Sequence, residues 1–165
     1  MEGIAAWFAA HLGKYISAKA VVFIVSLMPI LECRGGLLVA SLLHVDIVEA
    51  IPICVIGNFL PIPFILLFIK RIFALMKKWE PTARIVEKLE NRAMNKSEQI
   101  ENSEFIGLML FVGIPLPGTG GWTGSLIAAL LDMDFKKSLI AEIIGILIAT
   151  VIMSIVSYGL LARFV

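Results

Sequence analysis

The distribution of apolar and polar residues divides the chain into five apolar blocks. Residues 47–69 form a long apolar stretch with Glu49 near its start, and residues 138–161 form another in which Glu142 is the single charge. Each block has the roughly 20 residues that an α-helix needs to cross about 30 Å of hydrocarbon. The other three blocks are shorter or interrupted, at 20–31, 35–43 and 105–131. The pattern therefore predicts two plain membrane-spanning helices and three apolar segments of another kind.

The first two short blocks do not combine into one ordinary spanning helix. A helix over 20–43 would place Glu32 and Arg34 at its midpoint, where each charge costs about 2.5–3.5 kcal/mol on an insertion scale. We therefore predict a re-entrant helical hairpin over about 20–45, with its tip near 31–36, where these two charges lie.

The block at 105–131 is broken in its middle. Residues 113–124 contain two prolines and five glycines, which interrupt the hydrogen-bond ladder of a helix. Broken backbone at membrane depth is tolerated only inside protein or around a water-filled cavity. A second re-entrant hairpin is therefore predicted over about 105–132, with its tip near 115–124.

The two halves of the chain match each other at an offset of 88 residues. Residues 39–47 resemble residues 127–135. The same offset pairs Pro29 with Pro117, Gly36 with Gly124, Asp46 with Asp134 and Gly57 with Gly145. We interpret this as a duplication in which each unit has one re-entrant hairpin and one spanning helix. Because such a unit crosses the membrane once, the second unit would be inverted, an arrangement typical of secondary transporters.

The predicted fold is all-α, integral to the membrane and a single domain over residues 1–165. We expect an interfacial helix, a first repeat, a cytoplasmic helical connector and a second repeat, at 1–16, 17–69, 70–104 and 105–162. Eight of the 14 lysines and arginines lie between Lys70 and Lys96, and excess positive charge marks the cytoplasmic side. The connector has an expected apolar stripe at Ile85, Leu89, Ala93 and Ile100. The predicted location is the plasma membrane, as a multi-pass protein of a prokaryotic inner membrane.

Composition supports a membrane protein and excludes several other classes. Apolar residues make up 59% of the chain and charged residues 16%, against about 45–50% and about 25% in soluble domains. Disorder, a collagen-like chain and a secreted disulfide scaffold are excluded. Glutamates are mixed with the basic residues of the connector, which argues against a nucleic-acid partner. Cys33 and Cys54 lack the spacing of a zinc or redox site, and no metal or other cofactor is predicted.

Glu32 and Arg34 are the strongest candidates for function. An ionisable residue inside a membrane segment indicates a functional site. Residues two apart do not share a helix face, so one or both must lie on non-helical backbone, beside the Gly35 and Gly36 pair. We interpret Glu32 as a proton-coupling carboxylate that pairs with Arg34, and Arg34 as an anion-binding group. The alternative is a structural pair that locks the tip to a neighbouring helix.

The second tip offers backbone N–H groups, two hydroxyls and an indole ring, but no charge. Its candidate site residues are Pro115, Pro117, Gly118, Thr119, Gly120, Gly121, Trp122 and Thr123. The second leg of each hairpin begins at its tip, so its free N–H groups and positive dipole end would face the midplane. This arrangement favours an anionic group such as a phosphate, while the free carbonyls of the first legs leave cation binding open.

Two polar residues within the spanning helices are further candidates. Glu142 is either a second protonatable group or a solvated residue near Lys136 or Lys137. Asn58 is either part of the binding site or a residue whose side chain forms hydrogen bonds between helices. Both alternatives are open at the level of the sequence.

Two segments carry a resemblance to a known family, residues 29–36 (PILECRGG) and 113–124 (GIPLPGTGGWTG). There the sequence resembles the small multi-drug export protein family, over nearly the whole chain. The resemblance implies roles for Glu32 and Arg34 at the first tip. At the second tip it implies roles for Pro115, Pro117, Gly118, Gly120 and Gly121.

That family is similar to the wider DedA group, also called VTT or SNARE-associated membrane proteins. The likeness implies two opposed re-entrant hairpins and the movement of lipids such as undecaprenyl phosphate, driven by ion gradients. DedA proteins typically carry an arginine in the second re-entrant region, and this chain has none between residues 105 and 131. A shared lipid-phosphate substrate is therefore not implied by the motif alone.

These observations predict a small secondary transporter or lipid flippase rather than an enzyme. It would move a small anionic or phosphate-bearing lipid substrate through a midplane site formed by the two tips, coupled to H⁺ or Na⁺. Because one chain has few helices with which to enclose a pathway, we expect a homodimer in contact with membrane lipids. The alternatives are an exporter of small organic cations with Glu32 as the binding carboxylate, and a membrane scaffold whose connector binds a partner.

Overall fold

The computed structural model describes residues 17–97, 100 and 103–160, and the regular structure within these residues is helical. The helices are α1 (Ala18–Leu27), α2 (Glu32–Leu42), α3 (Ile47–Phe59), α4 (Ile62–Met76), α5 (Glu80–Met94), α6 (Glu104–Gly113), α7 (Gly121–Leu130) and α8 (Phe135–Ser154). A π-helical turn, Ile155–Leu160, follows α8 directly. The predicted all-α class is confirmed for this part of the chain. The interfacial helix expected at 1–16 lies outside the described residues.

Two continuous helical stretches, Ile47–Met76 and Phe135–Gly159, are long and apolar enough to cross a membrane, as predicted. The first comprises α3 and α4, which meet at Leu60 and Pro61. Both residues keep helical dihedral angles, so the direction of the chain continues. Proline has no N–H to donate to the helical ladder, which explains why the hydrogen-bonding pattern is interrupted there.

Each of the two shorter helix pairs is interrupted, the second largely within its predicted tip and the first at 28–31. The prediction of the first tip near 31–36 is wrong, because residues 32–36 already lie in α2. Met28 and Ile114, the residues that end α1 and α6, have extended backbone. A proline follows each of them, and the residue before a proline avoids the helical region. Helices α1 and α2 pack against each other and against α3, whereas α6 packs along α8 and α7 along α4.

The turn after each helix pair has the same backbone in both halves of the chain. Helices α2 and α7 end 88 residues apart, and α3 and α8 begin 88 residues apart. His44 and Asp132 both have positive φ, of 53° and 55°. Asp46 and Asp134 each accept a hydrogen bond from a backbone N–H in the first turn of the next helix. The sequence match is therefore also a match of local structure.

The first helix of each pair follows a different offset. Helices α1 and α6 begin and end 86 residues apart, and the break after α6 is longer than the break after α1. Pro29 corresponds to Pro115, because each follows the extended residue that ends its helix. The prediction that pairs Pro29 with Pro117 is therefore wrong. Extra residues in the second break shift the register, which a single constant offset cannot represent.

Two hydrophobic clusters form the core, and α8 contributes to both. The first joins α1, α2 and α3 to Ala149 and Met153 near the end of α8. The second joins α4, α6 and α7 to Ala141 and Ile146 nearer its start. Helix α8 thus connects the two halves of the molecule.

Helix α5 and the residues after it pack into the protein through a face that the sequence identified only in part. Val86, Ala93 and Ile100 are buried, whereas Ile85 and Leu89 are exposed. The buried positions are seven apart, which is about two helical turns. The predicted stripe is correct at Ala93 and Ile100 and wrong at the other two positions, because packing against the second cluster selects the buried face.

Gly57 and Gly145 lie where the spanning helices approach α1 and α6 most closely. A Cβ on Gly145 would lie 2.8 Å from the backbone oxygen of Met109, and a Cβ on Gly57 would lie 3.0 Å from that of Phe23. We expect Gly145→Ala to destabilise the protein by about 1–3 kcal/mol, the usual cost of overpacking. Thermal unfolding in detergent measures this, with Gly159→Ala as control, since its nearest neighbour would be 3.9 Å away. Equal melting temperatures for the two variants would contradict the close approach.

Candidate functional site

Glu32 begins α2 on strained backbone and has a buried side chain. Its φ is +52°, an uncommon value for a residue with a Cβ, and it is 4% exposed. Such strain persists only where the surrounding structure enforces it, and it concentrates at functional sites. Gly120, 88 residues later, also has positive φ, 134°, directly before α7. Both helices are therefore entered through a residue with positive φ, although the two φ values differ by about 80°.

The carboxylate of Glu32 caps the N-terminus of α7. Its Oε2 accepts a hydrogen bond from the backbone N–H of Gly121 and its Oε1 one from that of Trp122, both at 3.1 Å. These N–H groups have no partner within their own helix, and the positive end of the helix dipole favours a negative group. A Cβ on Gly120 would overlap the carboxylate. The two helix breaks are thus joined by a charge-assisted contact.

Arg34 holds the break between α6 and α7. The acceptors of its guanidinium, at 2.9–3.3 Å, are the carbonyls of Val112, Ile114, Leu116 and Thr119 and the hydroxyl of Thr119. Carbonyls at the end of a helix lack intrahelical partners, and the negative end of the dipole favours a cation. Arg34 therefore closes the end of α6 as Glu32 closes the beginning of α7.

Glu32 and Arg34 do not form an ion pair with each other in the described part of the chain. Each charge instead engages the second break, which lies more than 75 residues away in the sequence. This arrangement agrees with the alternative from the sequence, in which the two charges have a structural role and hold the first tip against a neighbouring part of the protein. The direct Glu32–Arg34 pair of the coupling hypothesis is absent from this state, because helix ends supply better partners for both charges.

Thr119 and Gly118 organise the second break. The Thr119 hydroxyl lies 3.0 Å from the carbonyl of Ile114 and 2.9 Å from that of Leu116. Gly118 has a φ of +77°, and its carbonyl accepts a hydrogen bond from the Lys96 ammonium at 2.6 Å. Sequence reasoning did not identify Lys96, since no motif distinguishes it from the other basic residues of the connector.

The remaining predicted tip residues shape the breaks or pack beside them. Pro115 and Pro117 lie in the non-helical part of the second break. Thr123 is half-buried, and no hydrogen bond joins it to either charged residue within the described segments. Gly35 and Gly36 allow close packing, because a Cβ on the first would lie 2.7 Å from the Cβ of Leu31 and one on the second would overlap Ser26.

Glu142, on α8, also places its carboxyl group near the N-terminus of α7. It is fully buried, and its Oε1 accepts a hydrogen bond from the Ser125 hydroxyl at 2.9 Å. The alternative of a solvated Glu142 near Lys136 is therefore wrong. Ser125 was not predicted, although it lies four residues after Gly121 and so on the same face of α7.

Asn58 also lies beside the first turn of α7. It is 1% exposed, and a Cβ on Gly121 would lie 3.6 Å from its Oδ1 and 3.5 Å from Oε2 of Glu142. Glycine at 121 thus leaves room for polar oxygens against the helix backbone. No group of three or more metal-ligating side chains occurs among the described residues.

We expect Arg34 to stabilise the second break through the several N–H donors of its guanidinium group as well as through its positive charge. Lysine has a single ammonium group and cannot reproduce the geometry of the guanidinium. We expect Arg34→Lys to increase amide hydrogen exchange in residues 114–120 by roughly tenfold or more, which corresponds to about 1.4 kcal/mol. Hydrogen exchange with mass spectrometry in detergent measures this, with Arg71→Lys, on an exposed position of α4, as control. Unchanged exchange in this segment would contradict the role of Arg34.

Comparison with known proteins gives one family. A family model described as "putative small multi-drug export protein" matches residues 32–152, a range that begins at Glu32 and includes both α7 and Glu142. Comparison with curated proteins and with solved structures gave no match. The family match spans well over half of the chain and agrees with its two long apolar helices. The chain therefore belongs to the small multi-drug export family of membrane proteins.

Proposed function

We propose that this protein is a small secondary transporter or lipid flippase whose substrate carries an anionic group such as a carboxylate or phosphate. The observation that carries this proposal is the contact between the Glu32 carboxylate and the N-terminus of α7. Two backbone N–H groups at a helix N-terminus form a ready anion site, and here a carboxylate of the protein itself fills it. A substrate anion that replaced Glu32 would meet the same two donors.

In this proposal the pairs α1–α2 and α6–α7 are re-entrant hairpins. Each of these helices has ten or eleven residues and so spans about 15 Å, half of a hydrocarbon core about 30 Å thick. The ion pair between Lys19 and Glu49, at 2.8 Å, supports the first hairpin. It joins the start of α1 to the start of α3, as expected if the intervening hairpin returns to the side on which it entered.

Contacts between the halves support the inverted arrangement. Lys70, in the second half of α4, pairs with Asp132 in the turn before α8. Tyr158, after the end of α8, donates a hydrogen bond to the carbonyl of Val45, in the turn before α3, at 2.8 Å. These contacts favour two spans that run in opposite directions. Broken helices that meet between opposed repeats are a transporter design.

Unpaired donors beside the carboxylate favour an anion over a cation. Nε of Arg34 and Nε1 of Trp122 are buried without a hydrogen-bond partner in the described residues. Both atoms donate and neither accepts. An incoming carboxylate or phosphate could take these donors in addition to the N–H groups of α7, whereas a cation would find Glu32 already engaged.

A coupling ion would control this exchange by neutralising Glu32. A proton removes the charge that the helix dipole attracts and turns one acceptor oxygen into a donor. The side chain would then release the N–H groups of Gly121 and Trp122 to the anion of the substrate. H⁺ is the proposed coupling ion, and Na⁺ bound to the carboxylate would act in the same direction.

The proposed setting is the plasma membrane of a prokaryote, with α5 in the cytoplasm and two chains in the functional unit. An apolar groove of about 410 Å³ lies between α3 and α8. Its lining residues are Val55, Ile56, Phe59, Leu60, Ile143 and Ile146. A groove without polar lining fits a position inside the bilayer, where lipid tails or the second chain would cover it.

The experiments described below also test two other functions. The family description and the buried carboxyls of Glu32 and Glu142 are the basis for an exporter of small organic cations. A scaffold would use the connector to bind a partner. Val86 and Ala93 are buried within the protein, so on α5 such a partner would use the exposed residues, which include charged side chains and the apolar Ile85 and Leu89.

Cysteine accessibility tests the proposed topology. In a cysteine-free background, single cysteines at Lys19 and Val48 should react with an impermeant maleimide added outside intact cells. Cysteines at Lys78 and Lys136 should react only after the membrane is opened. All four positions are exposed, so a failure to label reports sidedness. Labelling of Lys19 and Val48 from opposite sides would contradict the first re-entrant hairpin.

Reconstituted protein tests the substrate class. Liposomes are supplied with a fluorescent phosphatidic acid, with inorganic phosphate or with ethidium. We expect movement of the lipid phosphate or of the free phosphate, whichever is the source of the anion. Arg34→Ala should reduce it roughly tenfold or more, since it removes a charged partner worth at least about 1.4 kcal/mol. Glu32→Gln should instead make it independent of pH, because a neutral side chain leaves the N–H groups of Gly121 and Trp122 to the substrate at every pH. Arg71→Ala should retain the wild-type rate.

The other functions give distinct results in the same assay. A cation exporter would move ethidium, with loss of activity in Glu32→Gln and little loss in Arg34→Ala. If the wild-type protein moves none of the probes, the transport proposal fails. The scaffold function would then predict loss of phenotype on charge reversal of the exposed residues Arg84, Glu87 and Lys88.

A further inference from the structure

Glu142 is a buried carboxyl that the exchange at Glu32 does not require. It is 0% exposed, and one oxygen accepts the hydrogen bond of Ser125. The other oxygen, Oε2, is buried and has no hydrogen-bond partner in the described residues. Because an unpaired polar atom in the interior costs free energy, this oxygen indicates a missing partner.

A second unpaired acceptor lies near the first. Oδ1 of Asn58 is buried without a partner among the described residues. The two oxygens lie 3.5 Å and 3.6 Å from the point where a Cβ on Gly121 would be. Each of these oxygens accepts and cannot donate, so each needs a hydrogen from another group, and a proton on Glu142 would meet this need at Oε2.

Among the described residues, the charged side chains around Glu142 provide no counter-ion. Glu32 is the ionisable side chain on a neighbouring helix that faces it, and the buried thiols Cys33 and Cys54 lie on the same neighbouring helices, α2 and α3. Arg34 is committed to the carbonyls of the second break. The remaining charged groups on the helices packed against α8 are exposed, namely Glu49, Lys70, Arg71 and Glu104. A second buried carboxylate without a cation would cost several kcal/mol.

The geometry points to a proton-binding site at Glu142, in which Oε2 carries a proton beside Asn58 and the N-terminus of α7. This site deepens the proposed function, on which its role in transport rests. Glu142 and Glu32 both lie against Gly121. Glu32 accepts a hydrogen bond from the N–H of Gly121, whereas Oε2 of Glu142 lacks a partner among the described residues. Glu142 is thus placed as the proton donor for Glu32.

The proton transfer is balanced within the pair. The neutral acid of Glu142 becomes a carboxylate as the Glu32 carboxylate becomes a neutral acid, and no other group is consumed. Glu32 then loses its charge and releases the N–H groups of Gly121 and Trp122. This relay supplies a proton to a carboxylate that is itself 4% exposed and has little direct access to water.

Chemical labelling of the wild-type protein tests the site without any transport assay. Dicyclohexylcarbodiimide reacts with neutral carboxylic acids in apolar surroundings, and peptide mass spectrometry locates the product. We expect labelling at Glu142 and not at Glu32 or at the exposed Glu104. Protection of Glu142 by Na⁺ would overturn the proposal in favour of a sodium site, and labelling at Glu32 alone would overturn it as well.

Infrared spectroscopy provides a second measurement that does not depend on reagent access. The carbonyl band of a neutral carboxylic acid should be present in the wild-type protein, lost in Glu142→Gln and retained in Glu32→Gln. Glutamine can accept the Ser125 hydrogen bond and donate to Asn58, so Glu142→Gln should melt no lower than the wild type. Absence of the band from the wild-type protein would overturn the proposal.

A flux measurement separates this inference from the proposed function. In liposomes with a pH-sensitive dye, Glu142→Gln should reduce proton movement and movement of the anionic probe together, each roughly tenfold or more, because Glu32 then keeps its charge and holds the N–H groups of α7. Proton movement at the wild-type rate in this variant would contradict the relay. If the wild type moves no probe but carries the neutral acid at Glu142, the transport proposal fails and the proton site stands.

Discussion

The binding of the Glu32 carboxylate to the N-terminus of α7 is the contact on which the arrangement of the two halves depends. Arg34 makes the complementary contact with the end of α6. A broken helix inside a membrane leaves free N–H groups on one side of the break and free carbonyls on the other. This chain satisfies both sets in its second break with two opposite charges that lie two residues apart in the first. Loss of either charge would leave buried backbone groups without partners, which costs about 1–3 kcal/mol for each group.

The two breaks are built differently although the turns before α3 and α8 match. The first is short and carries the charges, and its strained residue, Glu32, is held by contacts with the other half. The second is longer, and its residues Gly118 and Gly120 take up positive φ. The greater length exposes the carbonyls that Arg34 and Lys96 bind. One half therefore supplies charged side chains and the other supplies backbone, an asymmetry that lets a single chain form one site from two similar units.

The proposed transport site would have to bind its substrate and also release it. In this structure the anion site at α7 is occupied by a side chain that a single proton would neutralise, so occupancy by the substrate and occupancy by Glu32 exclude each other. The neighbouring acid, Glu142, extends the same physical argument. Within the described part of the chain one of its oxygens has no hydrogen-bond partner and no counter-ion lies nearby, which favours a group that holds a proton in this state. The two carboxyls differ because one has N–H donors and the other has none for its second oxygen.

The sequence by itself determined the local features: two long apolar helices, the position of the second break, the matching turns at His44 and Asp132, and the charges beside the first break. Hydropathy, proline and the spacing of matching residues act over a few residues, so they can be read directly. The tertiary structure alone decided that Glu32 and Arg34 engage the other break and not each other, that Pro29 corresponds to Pro115, and that Glu142 is buried. These outcomes depend on which helix ends meet across more than 75 residues of chain, and no local pattern encodes that meeting.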